Sequence, residues 1–124
     1  MDSVIGIQEQ CLSDSERWFP DVAHDLIHHA LSMAGEVGEF CNLLKKIERG
    51  SLRHDNESHL ELAMELTDVF IYLMNIAAVM NIDIGEAYDY KRKVNIDRFG
   101  SANPHPTPGR ISGPLQSTDG EGPG

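Results

Sequence analysis

Apolar residues recur along this chain at helical intervals, and four helices are predicted from them. Val4, Ile7, Cys11 and Leu12 define a first helix from Ser3 to about Arg17, with Ser3 as its candidate cap. Trp18, Phe19 and Pro20 then break the pattern. Proline is poorly tolerated inside a helix but acceptable near the start of one, and Asp21 is placed to cap the second helix. That helix is long and amphipathic, predicted from about Val22 to Glu48, its apolar face marked by Leu26, Ala30, Met33, Val37, Phe40, Leu44 and Ile47. Glu36 falls inside that arc and Glu39 at its edge. Gly35 and Gly38 flank the first acid, and in a helix interior such glycines usually admit a neighbouring backbone or ligand. The polar connection GSLRHDN places Gly50 to end this helix and Asn56 to begin the next. After a short turn from Asn81 to Gly85, a fourth helix from about Ile84 to Arg98 carries Lys91, Arg92, Lys93, Asn95 and Arg98, the densest basic cluster in the chain. The expected fold class is all-α.

The third helix, LELAMELTDVFIYLMNIAAVM from Leu60 to Met80, is the longest apolar run, yet its first half carries three acids. At about 100° per residue, Glu61, Glu65, Asp68 and Tyr72 share a stripe roughly 60° wide. Like charges so placed repel, and burying them unpaired would cost more, so a cation is expected against them. The second half is apolar nearly all round, which calls for burial on more than one side. One chain with three other helices has too little surface to provide it. A homo-oligomer is therefore expected, most simply a two-fold dimer, with a tetramer equally compatible. Asn75, a lone amide in this stretch, must then find a partner in its own backbone or in another subunit.

Composition narrows the function classes. With 124 residues one domain is expected over residues 1–100. From Gly100 onward lie five of the six prolines and six of the eleven glycines, so residues 101–124 read as a flexible tail without a core. Twenty acids against ten bases give a formal charge of −10, which disfavours nucleic acid as a partner. It leaves small phosphate compounds open through a bridging divalent metal. Cys11 and Cys41 show no paired spacing and read as free thiols in a reducing compartment. The opening MDSVIGIQEQ has no basic region followed by an apolar block, and the run from Val69 to Met80 is short of the roughly twenty residues that span a bilayer. A cytoplasmic protein without a membrane partner is the expectation.

Two acid pairs carry the candidate chemistry: Glu36 with Glu39, and Glu65 with Asp68. Residues three apart share a helix face, so neighbouring antiparallel helices could bring four hard oxygen donors to one level, a set suited to Mg²⁺. Glu86 and Asp89 repeat the spacing but read as surface. A ferritin-like di-iron bundle needs Glu-x-x-His, and no glutamate here has a histidine three residues later. His24 and His28, four apart but with no third ligand in view, read as structural.

The segments HHALSMAGEVGEF, ELTDVFIYL and KRKVNIDRF, in that order between about Trp18 and Phe99, resemble the MazG-like all-α nucleoside triphosphate pyrophosphohydrolases, including the dCTP pyrophosphatase branch. The resemblance implies an oligomeric, four-helix bundle-like fold that hydrolyses the α,β bond of a nucleoside triphosphate to the monophosphate and pyrophosphate. By position it makes Glu36, Glu39, Glu65 and Asp68 ligands of Mg²⁺, with Mn²⁺ able to substitute, and Glu39 and Glu65 the catalytic carboxylates. Spacing does not assign the general base. Lys91 and Asn95 match substrate-contacting positions and Arg98 a basic position near the phosphates. Trp18 matches an aromatic position that could stack on a base, against the equal alternative of a core or subunit contact. The contrasting reading is a non-catalytic helical homodimer serving as an interaction module.

Overall fold

The computed structural model describes residues 3–100, and the Pro/Gly-rich segment 101–124 lies outside them. The described chain is all-α: α1 (Val4–Trp18), α2 (Leu26–Glu48), α3 (Asn56–Val79) and α4 (Ile84–Asn95), closed by a π-helical turn at Ile96–Gly100. Two compact units divide it, one made of residues 3–30 and 72–100, the other of Leu31–Ile71. Helices α2 and α3 each contribute to both.

In the first unit the ends of the helices are fixed by side chains. Ser3 caps α1 by accepting from Gly6 N, and Asp83 caps α4 by accepting from Glu86 N at 3.1 Å. Gln8, almost wholly buried on α1, donates Nε2 to Ile82 O at 2.7 Å and accepts at Oε1 from Ile84 N at 2.9 Å. One amide thus satisfies the turn between α3 and α4 from outside it. A Cβ added at Gly85 would stand 3.4 Å from Val4 Cβ, so α1 and α4 approach closely there. The turn itself is a Schellman motif: Asn81, at φ 58°, donates to Ala78 O while Ile82 N donates to Ala77 O.

Helix α2 begins at Leu26, four residues later than the apolar pattern predicts, and its cap is Asp25 rather than Asp21. Residues 20–24 form consecutive turns, with Val22 N bonded to Phe19 O and Asp25 N to Val22 O. Asp25 Oδ1 then accepts from His28 N at 3.0 Å. His29, fully buried, bonds through Nε2 to Ala23 O at 2.7 Å and ties this turn to the helix it precedes.

The covered face of α2 is also displaced from the predicted one. His28, His29, Ser32, Met33, Glu36, Phe40, Leu43, Leu44, Lys46 and Ile47 are the covered positions, while Leu26, Ala30 and Val37 are exposed. At about 100° per residue this turns the face by roughly 70° and puts Glu36 near its centre.

In the second unit, α2 ends at Gly50 (φ 81°) in another Schellman motif, with Gly50 N bonded to Ile47 O and Ser51 N to Lys46 O. Helix α3 then starts at Asn56, as the sequence suggested, with Asp55 as the capping residue before it. Asp55 Oδ1 accepts from Ser58 N and Asp55 N donates to Ser58 Oγ, both at 3.0 Å, a reciprocal pair that satisfies two donors at once.

Few side chains are sealed. Among the described residues the buried apolar ones are Ala23, Leu62, Met74 and Ala77. In the second half of α3, Met74, Asn75 and Ala77 are all buried although they point across about 160° of the helix circumference. Leu66, Phe70, Leu73 and Met80 stay exposed. By length and composition alone α3 could cross a bilayer, but a charged residue is costly at its centre, and Glu65 and Asp68 lie in that span.

Candidate metal centre

Glu36 lies twelve residues before the end of α2, and Glu65 and Asp68 lie nine and twelve residues after the start of α3. At about 1.5 Å per residue these are similar distances from the connection, so two helices folded back on each other bring the three acids to one level. They meet within the second unit. One carboxylate oxygen from each of Glu36, Glu65 and Asp68 lies within 4.8 Å of the others, with the two glutamates half-buried and the aspartate exposed.

The electrostatics record the crowding. The Glu36 carboxyl is raised above its ordinary value, first by a hydrogen bond shared with the Glu65 carboxyl, then by burial, then by the charges of Asp68, Glu65 and Glu39. A bond between two carboxyls exists only while one of them holds a proton. Glu36, Glu65 and Asp68 are the side chains that could hold a divalent cation here, since such ions take hard oxygen donors. Glu39, exposed and three residues along α2, contributes to the field at Glu36 but stands outside the three-residue cluster.

Gly35 and Gly38 do not serve a close approach among the described residues. A Cβ at either position would meet nothing within 4 Å. Glu61, grouped by periodicity with Glu65 and Asp68, is exposed and outside the cluster. Tyr72, from the same stripe, lies in the first unit with its ring centroid 6.0 Å from that of His29.

The remaining candidates also belong to the first unit. Lys91 and Asn95 are exposed on α4, and Arg98, in the π-helical turn, lays its guanidinium 4.8 Å from the Phe99 ring centroid. Trp18 ends α1 and is 61% exposed, as is Phe19, so neither is a core residue of this chain. His24 bonds Glu16 at 2.7 Å through Nε2, and His28 packs edge-on to His29.

His29 was not singled out by its sequence context, although it precedes Glu36 by two helical turns on the same face. Its Nδ1, like Asn75 Oδ1, is buried without a hydrogen-bond partner among the described residues. The partner expected for Asn75 is therefore not supplied by its own chain's described part. Comparison of the chain with protein families, with curated proteins and with solved structures returned no match.

Proposed function

We propose that this chain is a Mg²⁺-dependent nucleoside triphosphate pyrophosphohydrolase of the MazG-like kind, a cytoplasmic homo-oligomer that cleaves the α,β phosphoanhydride bond to give a nucleoside monophosphate and pyrophosphate. The observation that supports it most directly is the convergence of Glu36, Glu65 and Asp68 from two helices, with the Glu36 carboxyl raised by its neighbours. Three acids brought this close repel one another, and a bound cation would relieve that repulsion.

In this reading Glu36, Glu65 and Asp68 hold Mg²⁺ or Mn²⁺, and Glu39 completes the set from the next turn of α2. When bound, the ion neutralises phosphate oxygens and makes a bound water more acidic. Glu39 or Glu65 accepts the proton of the attacking water at a carboxylate oxygen. The family resemblance assigns Lys91 and Arg98 to the phosphates, Asn95 to the substrate and Trp18 to the base, all four being residues of the first unit. No nucleic acid or membrane partner enters.

Self-association rests on separate ground. Leu66, Phe70, Leu73, Ala77 and Met80 succeed one another at intervals of four and three along α3, the spacing of a helix–helix seam, and all but Ala77 are exposed. That seam is also what favours the second reading, an interaction module without catalysis.

A panel of ribo- and deoxyribonucleoside triphosphates assayed for pyrophosphate release with Mg²⁺ separates the two. Release that a chelator abolishes, and that Glu65→Gln and Asp68→Ala lose while keeping their helix content, is the expected result. Full activity in both variants, or activity indifferent to the chelator, overturns the assignment of the cluster. Absence of release from every triphosphate, with no Mg²⁺-dependent gain in thermal stability, favours the interaction module.

A further inference from the structure

The connection between α2 and α3 is more firmly built than a polar loop requires. Ser58, 2% exposed, donates its hydroxyl to Arg53 O at 2.8 Å while engaged in the reciprocal pair with Asp55. His59 N donates to Asp55 O at 2.9 Å. These bonds hold the backbone across residues 53–59, and with it the two histidines of that span. Their half-buried imidazoles meet, His54 Nε2 standing 3.2 Å from His59 Nδ1 with ring centroids 5.4 Å apart and planes tilted by 32°.

In the neutral pair one facing nitrogen carries the proton and the other accepts it. Two nitrogens bound to one tetrahedral ion at about 2.0–2.1 Å stand roughly 3.3–3.4 Å apart, so the observed separation is close to that of a chelating pair. Binding one ion requires each ring to turn about Cβ–Cγ so that both facing nitrogens aim at a common point.

We propose that His54 and His59 form a two-imidazole clip for a divalent transition metal of the Zn²⁺ or Ni²⁺ type, distinct from the carboxylate cluster. Both facing nitrogens become ligands when His54 carries its proton on Nδ1 and His59 on Nε2. That is a change of tautomer through solvent in which the neutral pair neither gains nor loses a proton. Water completes the coordination. Donor chemistry separates the two places: imidazole suits Zn²⁺, Ni²⁺ and Cu²⁺, whereas an all-carboxylate set suits Mg²⁺ and Mn²⁺. The hydrogen bonds of Ser58 supply the preorganisation that a two-ligand site needs.

The test is titration of the full chain with Zn²⁺, and separately Ni²⁺, in excess Mg²⁺. It is followed by calorimetry and, for Zn²⁺, by the ¹⁵N resonances of the imidazoles. One equivalent should bind, shifting the His54 and His59 resonances. Binding should weaken by about tenfold or more, the equivalent of ~1.4 kcal/mol, in His54→Gln and in His59→Gln, and persist in His24→Gln and Glu65→Gln. The proposal is overturned if affinity is unchanged in both His54→Gln and His59→Gln, if it disappears with Glu65→Gln instead, or if saturating Zn²⁺ leaves both resonances in place. The resonance readout on the unaltered chain decides the matter even if a variant fails to fold. It does not depend on whether the protein hydrolyses nucleotides.

Discussion

A carboxyl held above its ordinary range, as Glu36 is by its bond to Glu65, by burial and by the charges of Asp68, Glu65 and Glu39, favours the folded state while it is protonated. That contribution is fully present below the ordinary glutamate value of about 4.3 and is lost as pH rises through the raised one. Bound Mg²⁺ acts in the opposite sense, because it needs the carboxylates ionised. Thermal melts across pH should therefore show the metal-free protein losing stability over that rise, with a Mg²⁺-induced gain that grows toward neutrality. Glu36→Gln should flatten both trends. A Mg²⁺ effect independent of pH would separate metal binding from this cluster. Gln8 is the second residue with a disproportionate share of structure, since its amide serves both Ile82 O and Ile84 N. Gln8→Leu leaves those groups without it, and chemical denaturation should register a loss of about 1–3 kcal/mol. An unchanged midpoint would show that solvent reaches the turn.

At the scale of elements, Gly35 and Gly38 in α2 give the clearest expectation. With open space where each Cβ would go, Gly35→Ala and Gly38→Ala should each stabilise the metal-free chain by up to about 1 kcal/mol through helix propensity. The informative outcome is a variant that gains stability and loses turnover or assembly, for then the space serves a substrate or a second subunit. Both helix ends flanking the connection were partly legible. Gly50 is expected from its place at the end of a long periodic segment, where a left-handed residue is needed, and α3 begins at the Asn56 that the polar connection suggests, its first turn secured by Asp55 and Ser58 satisfying each other. The start of α2 was not legible. Val22 fits the apolar period, but the turns at residues 20–24 and the bond from His29 to Ala23 O hold that segment outside the helix. A contact between a turn and a side chain six residues on leaves no periodic trace.

For the whole molecule the decisive quantity is apolar surface left in water. Leu66, Phe70 and Leu73 on α3 and Met80 at its end are exposed on either side of the buried Ala77, and Ile27 and Leu31 on α2 are 70% and 69% exposed. Fully covering a side chain of this kind is worth about 1.5–3 kcal/mol, so a handful of them is a strong drive to associate. Sedimentation equilibrium at low micromolar concentration should find an oligomer, and Leu66→Glu with Phe70→Glu should shift it toward smaller species. A stable, active monomer of 13.8 kDa would refute the argument. The sequence by itself determined the four helices, the turn at Asn81 and the pairing of acids on helix faces, because hydrophobic period and i,i+3 spacing are local properties of a chain. Only the tertiary structure decided which acids meet. Glu36 joins Glu65 and Asp68 while Glu39 and Glu61 stay outside the three-residue cluster; the covered face of α2 is turned by roughly 70° from its apolar pattern toward Glu36, and a rotation of that size depends on the surface opposite. The meeting of His54 and His59 was likewise invisible in sequence. Five residues is no helical repeat, and the two rings come together through a loop whose shape is set by the hydroxyl of Ser58.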